Sequence, residues 1–175
     1  MSAASPTRPA RDEYAPDYEG YVSLVPAGDV VDALERQIEG TLALLRSVPE
    51  GRANDAYEPG KWSVKELVGH LTDSERVFTY RALRVARGDR TPLPGYEQDD
   101  YVRAADFNAR SLADIASDFE RVRAATVSLF RSFDAEAWRR RGIANDNEVS
   151  ARALAYIIAG HELHHINILR ERYLK

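Results

Sequence analysis

Residues 154–172, LAYIIAGHELHHINILRER, restrict the possible folds more than any other stretch of the chain. On a helix at about 100° per residue, Leu154, Ile157, Ile158, Ile168 and Leu169 fall on one side, the apolar stripe of a core-facing helix. His161 and His165 land near the middle of that stripe. Residues four apart on a helix stack about 6 Å apart, so this pair can grip one metal ion. His164 sits roughly 60° from His161, at the stripe's edge, and is read as a neighbour of the site rather than a ligand. The chain contains no cysteine. A transition-metal site must therefore be built from His, Asp, Glu and water, and a third protein ligand must come from another segment.

Three further helices are legible upstream. From Asp29, a candidate N-cap, apolar residues recur at helical spacing through Leu45 to Val48 and stop at Pro49. Gln37 falls inside this stripe and needs a hydrogen-bond partner there. The second helix opens at Ser63, which forms a capping box with Glu66, and ends at Gly88. Trp62, just before the cap, is placed to staple the helix to the core. The third helix opens at Ser111 and carries Leu112, Ile115, Phe119, Val122, Leu129 and Phe130 inward. Ser150 caps the fourth. Four amphipathic helices of about 18 to 25 residues with no alternating strand run predict an all-α, antiparallel four-helix bundle. Residues 1–25, rich in Ser, Pro and Arg and without apolar period, are expected to form a flexible N-terminal arm ahead of one domain spanning 26–175, with Tyr14, Tyr18 and Tyr21 as possible anchors. The segment Arg139–Glu148 reads as a polar turn region. The connection Asp89–Arg110 is long for a compact domain and is expected to shape a pocket, with Tyr96, Gln98, Tyr101 and Asn108 as candidates.

All four histidines lie on two of these helices. His70, on the flank of the second helix near Ser74, Val77 and Arg81, is a candidate third ligand for the fourth-helix pair; the alternative is that these are core or surface histidines satisfied by hydrogen bonds. Three neutral imidazoles would leave open coordination positions, as a catalytic rather than a structural site requires. HELHH matches the H-E-x-x-H zincin pattern literally, but the ten residues after His165 hold no further His, and Glu162 lies about 100° from His161, on the polar side. Glu75 and Arg123 border apolar stripes and are expected to pair across the bundle; the alternative is that Arg123 faces an anionic substrate. A formal net charge of −4 without a Lys/Arg block argues against nucleic acid as a partner. No apolar run suggests a leader or membrane span, so no membrane partner and a cytoplasmic location are expected.

The run Tyr57-x-Pro-Gly-Lys-Trp-Ser-Val-Lys-Glu-Leu-Val-Gly-His-Leu, then Glu75-Arg76-Val77-Phe78 with Arg81, Leu93-Pro-Gly and Ile158-Ala-Gly-His-Glu-Leu-His-His-Ile, resembles the DinB/YfiT superfamily over roughly residues 29–173. The resemblance implies an up-down-down-up bundle, a homodimer in many members, and a divalent cation, zinc or nickel, on His70, His161 and His165. It further implies a small-molecule substrate and, in some members, an exogenous low-molecular-weight thiol: a metal with open positions lowers the pKa of a bound thiol or water and presents a nucleophile at neutral pH. The expected function is thiol-dependent S-transfer to a small electrophile. The alternatives are metal-dependent hydrolysis of a small molecule, or a non-catalytic metal- or ligand-binding bundle.

Overall fold

In the computed structural model, which describes residues 6–175, the bundle is made of α2 (Val30–Arg46), α3 (Val64–Ala86), α5 (Leu112–Arg131) and α7 (Ala151–Ile168), the last continuing into a π-turn, Leu169–Tyr173. Each helix starts at a side-chain cap. Asp29 accepts from the Val31 N–H, Ser111 from Asp114 and Ser150 from Ala153, while Ser63 and Glu66 form a reciprocal box. α2 and α3 each pack on both α5 and α7, and the helices run up, down, down, up.

That topology explains the long connection. α3 and α5 are parallel neighbours, so the chain leaving α3 at Gly88, whose φ of +79° supplies the left-handed cap, must travel back along the bundle before α5 can start. The crossover contains α4 (Gln98–Ala105), and its Phe107 ring lies where a Cβ on Gly69 would sit, 2.5 Å away.

Two apolar clusters fill the bundle. One joins Leu34, Phe78, Phe130, Phe133, Trp138, Leu154 and Ile157; the other joins Leu45, Leu67, Leu71, Ile115, Phe119, Ile166 and Leu169. A polar layer divides them. Arg123, 1 % exposed, donates Nε and Nη2 to Glu75 at 2.9 and 2.8 Å. Its Nη1 donates to the Leu34 carbonyl at 2.9 Å and lies 2.8 Å from Glu162 Oε2, and Glu162 Oε1 accepts from the Thr41 hydroxyl at 2.6 Å. The Glu75–Arg123 pairing expected from sequence is therefore present, and Arg123 has no free face for a substrate. Glu162 departs from expectation: it is buried, not on a polar side. α7 has no solvent face at this level, because residues 19–24 cover it as α2 and α3 do. Gln37 Oε1, at the same level, has no partner among the described residues.

Residues 1–5 of the expected arm lie outside the described residues, and the rest of it folds onto the bundle. α1 (Glu19–Leu24) lies on α7, with Val22 and Val25 each 2 % exposed. Glu13 accepts from Ser150 Oγ and Arg152 Nε at 2.7 Å each. A Cβ on Gly160 would come 2.0 Å from the Tyr21 carbonyl oxygen, so α1 can sit this low only on glycine. Anchors so few and irregularly spaced carry no apolar period. The region read as a polar turn is a short helix, α6 (Ala135–Arg139), and a hairpin of β1 (Arg141–Ala144) and β2 (Asn147–Ser150), turned by Asn145 and Asp146 at positive φ. Strands of four residues are too short for an alternation to show.

Candidate metal centre

α3 and α7 are antiparallel neighbours, which brings His70, near the start of one, level with His161, near the end of the other. His70 Nε2 is 3.0 Å from His161 Nε2, and His165 Nε2 is 3.1 Å from the same atom; ligand atoms of all three residues lie within 4.8 Å of one another. Two nitrogens bound to one tetrahedral ion at about 2.0–2.1 Å stand about 3.3 Å apart. A neutral imidazole Nε2 offers one in-plane lone pair or one proton, so His161 cannot satisfy both neighbours by hydrogen bonds. The donor set fits a divalent cation better than a hydrogen-bonded trio.

The electrostatics point the same way. Burial pushes His70 down to about 4. Burial, reinforced by the charges of His70 and His164, takes His165 to about 3, and His161 falls well below its ordinary 6.5 for the same reasons. At pH 7 the rings are neutral and their lone pairs are available without displacing protons. Trp62 lies 4.5 Å from His70 with its ring tilted by 39°, and Tyr21 and Phe78 stand edge-on to His161 at 5.3 and 5.9 Å, so the surroundings are largely aromatic. Ser74 Oγ, 3.4 Å from His70 Nδ1 and 2.8 Å from the Tyr96 hydroxyl, is placed to fix the His70 ring. His164 lies beside the cluster, its ring 5.0 Å from that of His165.

Two cavities border the cluster, one at His161 and one at His165. One, about 260 Å³, runs from His161 past Tyr18, Tyr21 and Phe78 to Arg81, Tyr96 and Asn145. The other, about 290 Å³, lies between His165, Tyr57, Lys61, Trp62 and Tyr173. Tyr96 and Gln98 thus line a cavity, as expected. Tyr101 is 46 % exposed and lines neither, and Asn108 accepts from the Ser63 hydroxyl at 2.7 Å, which joins the crossover to the α3 cap. Sequence reasoning missed Tyr18, Tyr21 and Asn145, which come from the segment read as an arm and from the hairpin. Arg81 was visible only as a helical neighbour of His70.

A four-helix bundle with three convergent imidazoles beside an open cavity defines a class of helical proteins with the donor set of a divalent-metal centre. Within it, the chain belongs to the DinB superfamily, whose sequence profile matches residues 33–169. It is 26% identical over 124 residues, 70% of each chain, to an Oceanobacillus iheyensis protein named "Putative metal-dependent hydrolase OB0413". Its fold is similar to that of YfiT from Bacillus subtilis, described as "a probable metal-dependent hydrolase with an unusual four-helix bundle topology", with a TM-score of 0.69 at 15% identity, covering 97% of this chain and 94% of that one. It is also similar to the mycothiol-dependent maleylpyruvate isomerase, with a TM-score of 0.67 at 13% identity, covering 83% of this chain and 61% of that longer chain. No described helix is long and apolar enough to cross a membrane.

Proposed function

We propose that His70, His161 and His165 hold one divalent cation, zinc or nickel, and that the protein uses it to activate an exogenous low-molecular-weight thiol for transfer to a small electrophile entering the His161 cavity. The observation that carries this reading is the convergence of three Nε2 atoms on one point beside that cavity. A cation there supplies Lewis acidity and lowers the pKa of a thiol or water in its open position. The chain's own residues do the rest. Burial keeps the imidazoles unprotonated, Ser74 and Tyr96 orient His70, and Trp62, Phe78 and Tyr21 exclude bulk water from the donors. With no cysteine in the chain, a sulfur nucleophile has to arrive as a cosubstrate.

Hydrolysis is the second reading, supported by the descriptions of the Oceanobacillus and Bacillus relatives. The two separate in one assay. Turnover of 1-chloro-2,4-dinitrobenzene that requires added thiol supports transfer, whereas metal-dependent ester cleavage in water alone supports hydrolysis. Metal analysis of untagged protein is expected to give one equivalent, lost in His165→Ala. A variant that retains a full equivalent refutes the ligand set, leaving the non-catalytic bundle.

A further inference from the structure

Three cationic side chains are buried among the described residues: Lys65, Arg81 and Arg123, at 5, 4 and 1 % exposure. Lys65 Nζ is 2.8 Å from Glu50 Oε1, and Arg123 stands between Glu75 and Glu162. Arg81 has no carboxylate within ion-pair distance among the described residues. Its one hydrogen bond there runs from Nη2 to the Pro94 carbonyl at 2.7 Å, leaving Nε and Nη1 without a protein acceptor. The two unpartnered nitrogens are not among the buried side-chain atoms left without a bond, so they open onto the cavity, and a mostly buried cation with donors facing a cavity is placed to take an anionic partner there. Arg81 forms part of the wall of the cavity that reaches His161.

We propose that Arg81 is the carboxylate-binding residue of this cavity, and that the molecule processed at the His cluster is a small carboxylic acid. The proposal rests on the cation reading given above. The guanidinium lies near two aromatic rings, with Cζ 5.9 Å from that of Phe78 and 5.9 Å from that of Tyr96, and the Pro94 bond restricts its rotation. A planar fork set in this way matches a carboxylate, which can be gripped along one edge by Nη1 and the second N–H of Nη2. Phe78 is also 5.9 Å from the His161 ring. One aromatic ring thus borders both ends of the path, so an acid seated on Arg81 lays its chain over Phe78 and presents its far end to the donor nitrogens. Glu97, the acidic residue of the cavity wall, is exposed at the mouth and disfavours more highly charged anions. The arginine that faces an anion is therefore Arg81 and not Arg123.

The test uses Co(II)-loaded full-length protein and a series of ω-mercaptocarboxylates of three to six carbons, each against the mercapto-alcohol of the same length. Binding is read from the thiolate-to-cobalt charge-transfer band. At the best-fitting length the acid is expected to bind about 10- to 100-fold more tightly than its alcohol, the range for a hydrogen bond to a charged partner. Arg81→Gln abolishes that ratio and leaves alcohol binding unchanged, while Arg81→Lys keeps part of it. Equal affinities at every length, or a preference that survives Arg81→Gln, overturn the proposal. Should Arg81→Gln fail to fold, chain length decides: a preference confined to the three-carbon acid, which can chelate cobalt through sulfur and carboxylate together, overturns the proposal, whereas one that peaks at a longer chain supports it. Hexanoate and hexanol are titrated into chelator-treated protein in parallel by NMR. Loss of the cobalt spectrum with an Arg81-dependent hexanoate preference removes the cation reading and keeps the carboxylate site; no preference in either form removes the site.

Discussion

Replacing Gly160 by Ala adds one methyl group where none fits. The new Cβ would lie 2.0 Å from the carbonyl oxygen of Tyr21, 2.4 Å from its carbon and 2.9 Å from its Cα, whereas ordinary contact begins at 3.4 Å. All three are backbone atoms, so no rotamer change relieves the overlap, and α1 has to retreat by more than about 1 Å from a close-packed surface. If α1 shifts but stays seated, overpacking costs about 1–3 kcal/mol. If it detaches, the burial of Val22 and Val25 is lost as well, at about 1.5–3 kcal/mol each. Either way the loss exceeds about 1 kcal/mol, or about 2–4 °C in Tm for a chain of this size. Urea unfolding of chelator-treated protein at neutral pH, followed by circular dichroism, measures it without metal linkage, and a reduced m-value distinguishes detachment from displacement. The same retreat carries the Tyr21 ring away from His161, so the variant also binds metal more weakly. Gly40→Ala is the control: it sits within α2 with nothing within 4 Å of a new Cβ, and gains about 0.5–1 kcal/mol. Wild-type stability in Gly160→Ala, within about 0.5 kcal/mol, would refute the seating of α1.

Arg123→Met leaves Glu75 and Glu162 buried without their counter-charge and is expected to cost about 3–5 kcal/mol in the same assay; a loss below about 1 kcal/mol would show that water reaches the polar layer. His70, His161 and His165 have folded pKa values below the unfolded value near 6.5, so the unfolded chain takes up protons first, and metal-free stability falls as the pH drops from about 6.5 toward 4. Metal affinity should hold from pH 8 down to about 5 and fall below it, as ligand rings are protonated; a midpoint near 6.5 in calorimetric titrations would contradict their burial. Burial opposes ionisation of Glu13, but Arg152, the Ala10 N–H and Ser150 outweigh it and hold the carboxyl at about 2, so its contribution is present above about 4.5 and is lost as the pH falls toward 2. Glu13→Gln is expected to cost about 1–3 kcal/mol and to speed proteolysis within residues 6–25 at neutral pH, and an unchanged cleavage rate would argue against that anchor.

The four long helices were legible because each carries an apolar stripe over several turns and a capping side chain at its start, at Asp29, Ser63, Ser111 and Ser150. His161 and His165 were legible for the same reason, being four apart on a stripe, whereas the convergence of His70 on them depends on tertiary pairing of α3 with α7. What escaped were short segments held by single contacts. α1 is seated by Gly160 and Val22, the hairpin by positive φ at Asn145 and Asp146, and none of these repeats at any period. Glu162 was misplaced because an angular argument assumes one wet side, and α7 is enclosed all round at that level. Arg81 lay on the helical face of His70, but its lack of a carboxylate partner is a property of the folded surroundings.

The chain has two tryptophans, and their placement gives the molecule a built-in optical gauge. Trp62 lies 4.5 Å from His70, while Trp138 is wedged between Phe130 and Phe133 in the other apolar cluster, 5.4 and 5.1 Å from their rings. If the proposed cation is Ni(II) or Co(II), its entry into the histidine cluster would quench the emission of the first indole more than that of the second, which sits in the other apolar cluster. Occupancy can then be followed by fluorescence in real time, with no label added.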